Sequence, residues 1–368
     1  MHSLLFAIPT WNRAAHLERC VRSIASQVQL GMDTHILIGD DASTDDTPRV
    51  ISALMAEFPF VTSYRNPLRT DYADAFHTLF THSTVEGSEW VWTFGDDDTL
   101  EPGALTYIRE EFAKADETCF FHVAEATRAS PKPAAYSGTL FDLACNFGWI
   151  EMTGFITGNI TRGPLLHAAG SSTLWRSYAR TAFAQSCALL EALHDKPALF
   201  LDSPLVRTQE NAQSQDTIDR WGADNIAVRY TYLSGAIQLM YEQGILTSKV
   251  PRKFFRYLVY HLWDRHLTFM VQDYMDRRQM WPAEAWARVK LFADFLADEE
   301  EATKLRQDID VCQGIITAHA FGNQALDQML LQANRTALAR NAEVYPYGYV
   351  EAGTGRPLVA GEPTKPQP

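Results

Sequence analysis

Long hydrophobic runs are missing from this chain. No uncharged apolar stretch approaches the roughly 18 residues that a membrane-spanning helix needs. The start, MHSLLFAIPTWNR, is apolar only over 4–8 with no basic residue before it, so it does not read as a secretory signal. Cysteine is sparse. The five cysteines (Cys20, Cys119, Cys145, Cys187 and Cys312) are odd in number, widely scattered and never arranged as CxxC, which argues for free thiols in a reducing compartment. Positive charge is short as well, with 32 Lys and Arg against 45 Asp and Glu and a net charge of -13. Nonspecific contact with nucleic acid backbones needs clustered Lys and Arg, so nucleic acid is not an expected partner. No internal repeat is visible. The reading is a cytoplasmic globular protein, whose 368 residues suit two modest domains or one large one with an appendage.

What is present begins with alternation. LLFAI (4–8) is a short apolar run closed by Pro9, a buried first strand. AAHLERCVRSIASQ follows with Leu17, Val21 and Ile24 at helical spacing. HILIGD (35–40) is a second strand, and STDDTPRVISALMAEF a second helix with Asp46 or Thr47 as cap and Pro48 in its first turn. VTSYRN, YADAFHTLFTHS and WVWTFG continue as strand, helix and strand. Continuous apolar strands separated by helices specify a mostly parallel sheet covered on both faces, an α/β fold.

Beyond 115 the pattern loosens. CFFHVAEA reads as a strand, SPKPAAYSG as a loop, FITGNITR (155–162) and PALFLDSPLV (197–206) as strand and turn elements, with a helix at 175–194 between them. From 219 onward helical periodicity dominates, over 223–243, 251–276, 282–299 and 300–340, and the Gly- and Pro-rich end reads as a flexible tail. The expected organisation is a catalytic unit over 1–215, divided near 112, a helical region over 216–340 and a tail over 341–368.

In open α/β sheets, ligands bind outside the carboxyl ends of the strands. Those ends carry PTWNR, DDAST, RNPLR and GDDD. Asp96, Asp97 and Asp98 follow directly from a buried strand, and like charges in a row repel one another. A hard divalent cation, Mg²⁺ or Mn²⁺, prefers oxygen ligands and offsets that repulsion while bridging substrate phosphates. A solvated Asp-rich turn or a helix cap is the other reading of the triplet.

Three segments taken in order, LLFAIPTWNRAAHLERCVRSIASQ, HILIGDDASTDDTPRVI and EWVWTFGDDDTLEPGAL, resemble the signatures of family 2 glycosyltransferases with the GT-A fold. The resemblance covers about 3–210. It implies a Rossmann-like sheet flanked by helices, a nucleotide diphosphate sugar donor, inversion at the anomeric carbon, and Mn²⁺ or Mg²⁺ as cofactor. Carried over by position, it puts Pro9, Thr10, Trp11 and Arg13 around the nucleoside and Asp41 at the base. Arg69 and Arg207 become nucleotide or phosphate contacts. The triplet corresponds to the DXD element, with Asp98 and Asp96 toward the metal and Asp96 with Asp97 toward ribose and diphosphate. Asp96 and Asp98 share a side if the backbone stays extended.

Inverting transfer also needs a base to take the acceptor proton. Relatives supply it from an "ED" pair, which this sequence lacks between 150 and 215, leaving Glu191, Asp202 and Glu151 as candidates and His167 and His194 as alternatives. A binding scaffold without catalysis, or a nucleotidyltransferase, remain open readings, although PTWNRAAH lacks the Gly-rich loop of the latter. The acceptor is expected to be a glycan, a lipid-linked sugar or a protein. KVPRKFFRYLVYHLWDRHLTFMV (249–271) mixes basic and aromatic residues. It reads either as a peripheral contact with the inner face of the membrane or as a helix burying Phe255, Leu258, Leu262 and Phe269. The C-terminal helices are also a candidate surface for homo-oligomer formation.

Overall fold

The computed structural model describes residues 2–29, 33–85, 87–114, 117–126, 134–181, 183–208, 223–255 and 283–320, with two short strands at 349–350 and 357–358. Strand β1 (Leu4–Thr10) leads to helix α1 (Ala14–Ala25), β2 (Thr34–Asp40) to α2 (Thr47–Glu57), and β3 (Val61–Arg65) to α3 (Tyr72–Val85). Then come β4 (Trp90–Thr93), a two-residue β5 (Thr99–Leu100) and α4 (Ala104–Lys114). β1 pairs in parallel with both β2 and β4, and β2 with β3, so all four strands end at one edge of the sheet.

The second half adds β6 (Phe120–Glu125), β7 (Ala134–Thr139), α5 (Leu140–Phe147) and α6 (Trp149–Thr153). After these come β8 (Asn159–Arg162), α7 (Gly163–Gly170), α8 (Trp175–Tyr178), α9 (Ala184–Leu193) and β9 (Pro197–Arg207). The sheet runs β3-β2-β1-β4-β8-β6-β9-β5, with β7 on β9. β8 is antiparallel to both β4 and β6. β6 and β9 therefore point the same way as β1, and their ends join the same edge.

Side-chain alternation along the strands builds two cores. Leu4, Phe6 and Ile8 with Ile36, Ile38, Trp90 and Trp92 pack under α1, α2 and α4. Leu5, Ala7, Leu37 and Val91 face α3 and the helices of the second half. The expected single helix over 175–194 is two helices. Thr181 closes the break, its hydroxyl donating to the Tyr178 carbonyl and accepting from the Phe183 amide. AAYSG, expected as loop, lies in β7, whose residues alternate between half-buried and exposed as an edge strand does.

The described C-terminal residues are mainly helical, in α10 (Ala223–Glu242), α11 (Ala283–Asp294) and α12 (Glu299–Ala320), and the two short strands of the expected tail pair antiparallel. Leu233, Ile237 and Met240 of α10 and Trp286, Val289 and Phe292 of α11 belong to the same apolar cluster as the sheet's second face. Phe255 is buried there too. Leu258, Leu262, Phe269 and most of the basic aromatic segment lie outside the described residues, as does most of 341–368. No helix among the described residues is long and apolar enough to cross a membrane.

Candidate active site

The loops after β1 and β2 are stitched together by Asn12. Its backbone amide donates to Ser43 Oγ (2.9 Å) and its side-chain oxygen accepts from the Thr44 amide (2.7 Å). Asn12 and Ala42 both have positive φ, 50° and 59°. This is an uncommon backbone state, tolerated best by Asn, and tight loops beside ligands often contain it. Asp40 is structural, accepting from the Ser43 amide and from Arg65. Asp41 accepts from Asn66 Nδ2 (2.8 Å), the Thr70 amide (3.1 Å) and the Thr70 hydroxyl (2.9 Å). It thereby anchors the loop after β3. That loop lays the Arg69 guanidinium 3.2 Å from the centre of the Trp11 ring, a cation–π contact. Trp11, Asp41 and Arg69, which the resemblance places around the nucleotide, are one connected unit.

The aspartate triplet is not extended. β4 stops at Thr93, and the Asp98 amide donates back to the Gly95 carbonyl (3.2 Å), closing a turn. The alternation expected of an extended strand therefore does not decide which carboxylates share a side. The partners decide it. Thr10 Oγ1 donates to Asp96 (2.7 Å), and Arg13 reaches both Asp96 (3.2 Å) and Asp97 (2.5 Å). Asp98 turns the other way, and its Oδ2 accepts from the Thr157 hydroxyl. A Cβ on Gly95 would come within 2.9 Å of Asp98 Oδ2 and 3.1 Å of Thr157 Oγ1, so the glycine makes room for the turn's own carboxylate.

Burial pushes the Asp96 carboxyl up to about 7, with Arg13 opposing it. Asp98 also rises to about 7 through burial, with Asp97, Asp96 and Glu125 adding and Thr157 opposing. Two buried carboxylates so raised are poised for a cation. Among the described residues no three His, Cys, Asp or Glu side chains form a ready-made cage. Mg²⁺-like ions are commonly held by one or two carboxylates with substrate phosphates and waters completing the shell. Asp98 fits that role, because its Oδ1 carries no hydrogen bond from the described residues.

The sheet order and this strand-edge site agree with the sequence relationship. Residues 6–177 match the family described as Glycosyl transferase family 2. The chain carries a family 2 glycosyltransferase domain. Its fold is GT-A. The chain is similar to S. aureus TarS 1-349 in complex with UDP-GlcNAc, with a TM-score of 0.55 at 12% identity over 96% of this chain and 95% of that one. Abequosyltransferase RfbV of Salmonella typhimurium is 31% identical over 104 residues, 28% of this chain and 31% of that protein. The GalNAc(5)-diNAcBac-PP-undecaprenol beta-1,3-glucosyltransferase of Campylobacter jejuni is 30% identical over 112 residues, 30% of this chain and 35% of that one. The matched segments span about a third of the length of these curated relatives.

The remaining expected residues of the glycosyltransferase domain scatter. Arg207 ends β9 beside Thr99, immediately after the acidic turn, and its Nε donates to Glu101 (2.5 Å). The rest of its polar loop, 209–214, lies outside the described residues. Glu191 sits near the end of α9 that leads into the start of β9, at the sheet edge opposite the acidic turn, and it accepts from Ser172 Oγ (2.6 Å). From this position it pins the loop before α8. His167 and His194 lie at the C-terminal ends of α7 and α9. Glu151, in the first turn of α6, folds back over Gly148, where a Cβ would meet its carboxylate at 2.1 Å. Asp202 is buried in β9, where the pairing with β6 slips between Leu201 and Pro204 close to the site edge. Bulges of this kind often re-aim side chains beside active sites.

Two residues escaped the sequence reading. Glu125 is buried at the end of β6, accepts from Thr208 Oγ1 (3.2 Å), and raises the Asp98 carboxyl. Its signal was available, since it is a polar residue closing an apolar strand. Thr157 had no comparable signal, lying 59 residues from its partner Asp98.

Proposed function

We propose that the protein transfers a sugar from a nucleoside diphosphate donor to a hydroxyl acceptor, with inversion and with the help of Mn²⁺ or Mg²⁺. The observation that carries this reading is the turn Gly95–Asp98 after β4, at the carboxyl edge of the parallel strands, with two buried carboxylates and one Asp98 oxygen that accepts no hydrogen bond from the described residues. A bound divalent cation would supply charge neutralisation for the departing nucleoside diphosphate. Asp98 would hold it. Thr10 and Arg13 keep Asp96 and Asp97 oriented toward the ribose and diphosphate, Trp11 and Arg69 form the wall of the nucleoside pocket, and Arg207 offers a phosphate contact.

For the acceptor proton, Asp202 is favoured by its bulge near the site edge and Glu151 is second. The reading takes 1–215 as the catalytic unit, with the helices from 216 as its support. The Campylobacter relative is named for a PP-undecaprenol-linked acceptor, which supports a lipid-linked glycan acceptor here and peripheral contact with the inner membrane face.

The test is thermal denaturation with nucleoside diphosphates, with and without Mn²⁺. A ligand bound to the folded state raises its apparent stability by mass action. The expected result is Mn²⁺-dependent stabilisation by one base over the others, abolished in Asp98→Ala while the unliganded variant stays folded. Unchanged Mn²⁺-dependent affinity in that variant would refute the assignment. Donor turnover should fall strongly in Asp202→Asn with donor binding retained, and retained turnover would pass the role to Glu151.

A further inference from the structure

We propose that Thr157 is the positioning residue of the acidic turn, holding one oxygen of Asp98 so that the other stays open to the cation. The inference rests on the cation reading above. A threonine hydroxyl has one proton to give and lone pairs to accept with. At Thr157 the Gly95 amide donates to Oγ1 at 2.8 Å, and the hydroxyl proton goes to Asp98 Oδ2. With Asp98 ionised, the chain of donors runs from Gly95 N–H through Thr157 O–H to the carboxylate. Thr157 is fully buried, so water cannot exchange with it freely.

The segment bearing Thr157 is fixed to the strand that delivers the turn. Residues Ile156–Gly158 form one 3-10 turn before β8. Trp92 Nε1 donates to the Thr157 carbonyl (2.8 Å), and the Thr93 hydroxyl reaches the carbonyls of Ile156 (2.8 Å) and Asn159 (3.2 Å). Both donors come from β4, just ahead of Gly95. On the other side the turn lies flush against β6, since a Cβ on Gly158 would come within 2.6 Å of His122 Cε1. The hydroxyl is thus held in place from two strands. Asp96 and Asp97 are oriented by Thr10, at the end of β1, and by Arg13, in the loop after it, and Asp98 by a separate support on a distant segment.

Residues that orient a metal ligand from behind commonly change metal affinity by about 10–100-fold when lost. The experiment titrates Mn²⁺ by electron paramagnetic resonance in the presence of a nucleoside diphosphate. It compares wild type with Thr157→Val, Thr157→Ser, Asp98→Ala and, as a buried-threonine control, Thr153→Val. Thr153 is fully buried and donates only to the Trp149 carbonyl. The expected result is a Mn²⁺ affinity weakened about tenfold or more in Thr157→Val. Thr157→Ser, which keeps the hydroxyl, should recover it, and Thr153→Val should leave it unchanged. If Thr157→Val does not fold, Thr157→Ala against Thr157→Ser makes the same comparison. Wild-type Mn²⁺ affinity in Thr157→Val, with affinity lost in Asp98→Ala, would overturn the role of Thr157 and leave the cation reading standing. Wild-type affinity in Asp98→Ala would overturn both.

Discussion

Gly95 shows how narrow the tolerances are at the scale of one residue. Its missing side chain leaves space that the Asp98 and Thr157 oxygens occupy. Gly95→Ala should therefore destabilise the protein by about 1–3 kcal/mol through overpacking, read as a lower urea midpoint, and weaken Mn²⁺-dependent nucleotide binding as well. The same carboxylates set a pH dependence. Asp96 and Asp98 move from an ordinary value of 3.8 to about 7 in the folded chain. Between those values the folded state holds protons that the unfolded state has released, so stability falls as pH rises from about 4 to 7. His122 acts in the opposite sense. Burial lowers it from 6.5 to about 4, so its contribution is present above 6.5 and is lost as pH falls toward 4. His16 is lowered as well, by burial with Arg19 and Arg13 adding, but the climb of both carboxyls from 3.8 to about 7 prevails, so the unliganded protein should be more stable at pH 5 than at pH 8. Asp98→Asn should flatten that difference in urea denaturation, and an unchanged slope would contradict the assignment.

At the scale of elements, the loop after β3 takes its shape from a carboxylate on a neighbouring loop. Asp41 was expected at the base, yet it accepts three hydrogen bonds from Asn66 and Thr70. Through them it governs where Arg69 meets Trp11. Asp41→Ala should cost about 2 kcal/mol, the scale of hydrogen bonds to a charged acceptor, measured by chemical denaturation. It should also alter Trp11 fluorescence as Arg69 leaves the ring. Arg69→Ala should reproduce the fluorescence change with little loss of stability. The strands and helices from β1 to β4 were legible from apolar runs and helical spacing, whereas the two-residue β5 and α4 were not read from the sequence. β7 was not, because the prolines at 131 and 133 and Gly138 read as loop, while its strand character comes from pairing with β9. The break between α8 and α9 hid for a related reason, since one threonine hydroxyl closes it.

For the whole molecule, the C-terminal helices extend the sheet's core and share its buried residues. Phe254 joins them, its ring 5.8 Å from that of Trp149 in α6 and 5.1 Å from that of Phe255. Phe254→Ala should cost about 3–5 kcal/mol, as truncation of a buried aromatic does. Calorimetry should show a single transition moving to lower temperature. A separate early transition for the helices, with the main one unmoved, would contradict this shared core.

The sequence by itself determined the α/β class, the order of the first strands and helices, and the edge where polar residues gather. Those follow from local periodicity and from the rule that parallel strands deliver their carboxyl ends to one side. Only the tertiary structure decided which carboxylates work together. It turned Asp96 toward Thr10 and Arg13 and Asp98 toward Thr157, moved Glu191 to the far edge, and brought Glu125 beside the acidic turn. Hydrogen-bond partners and burial are set by contacts between residues far apart in the chain, and no local pattern encodes them.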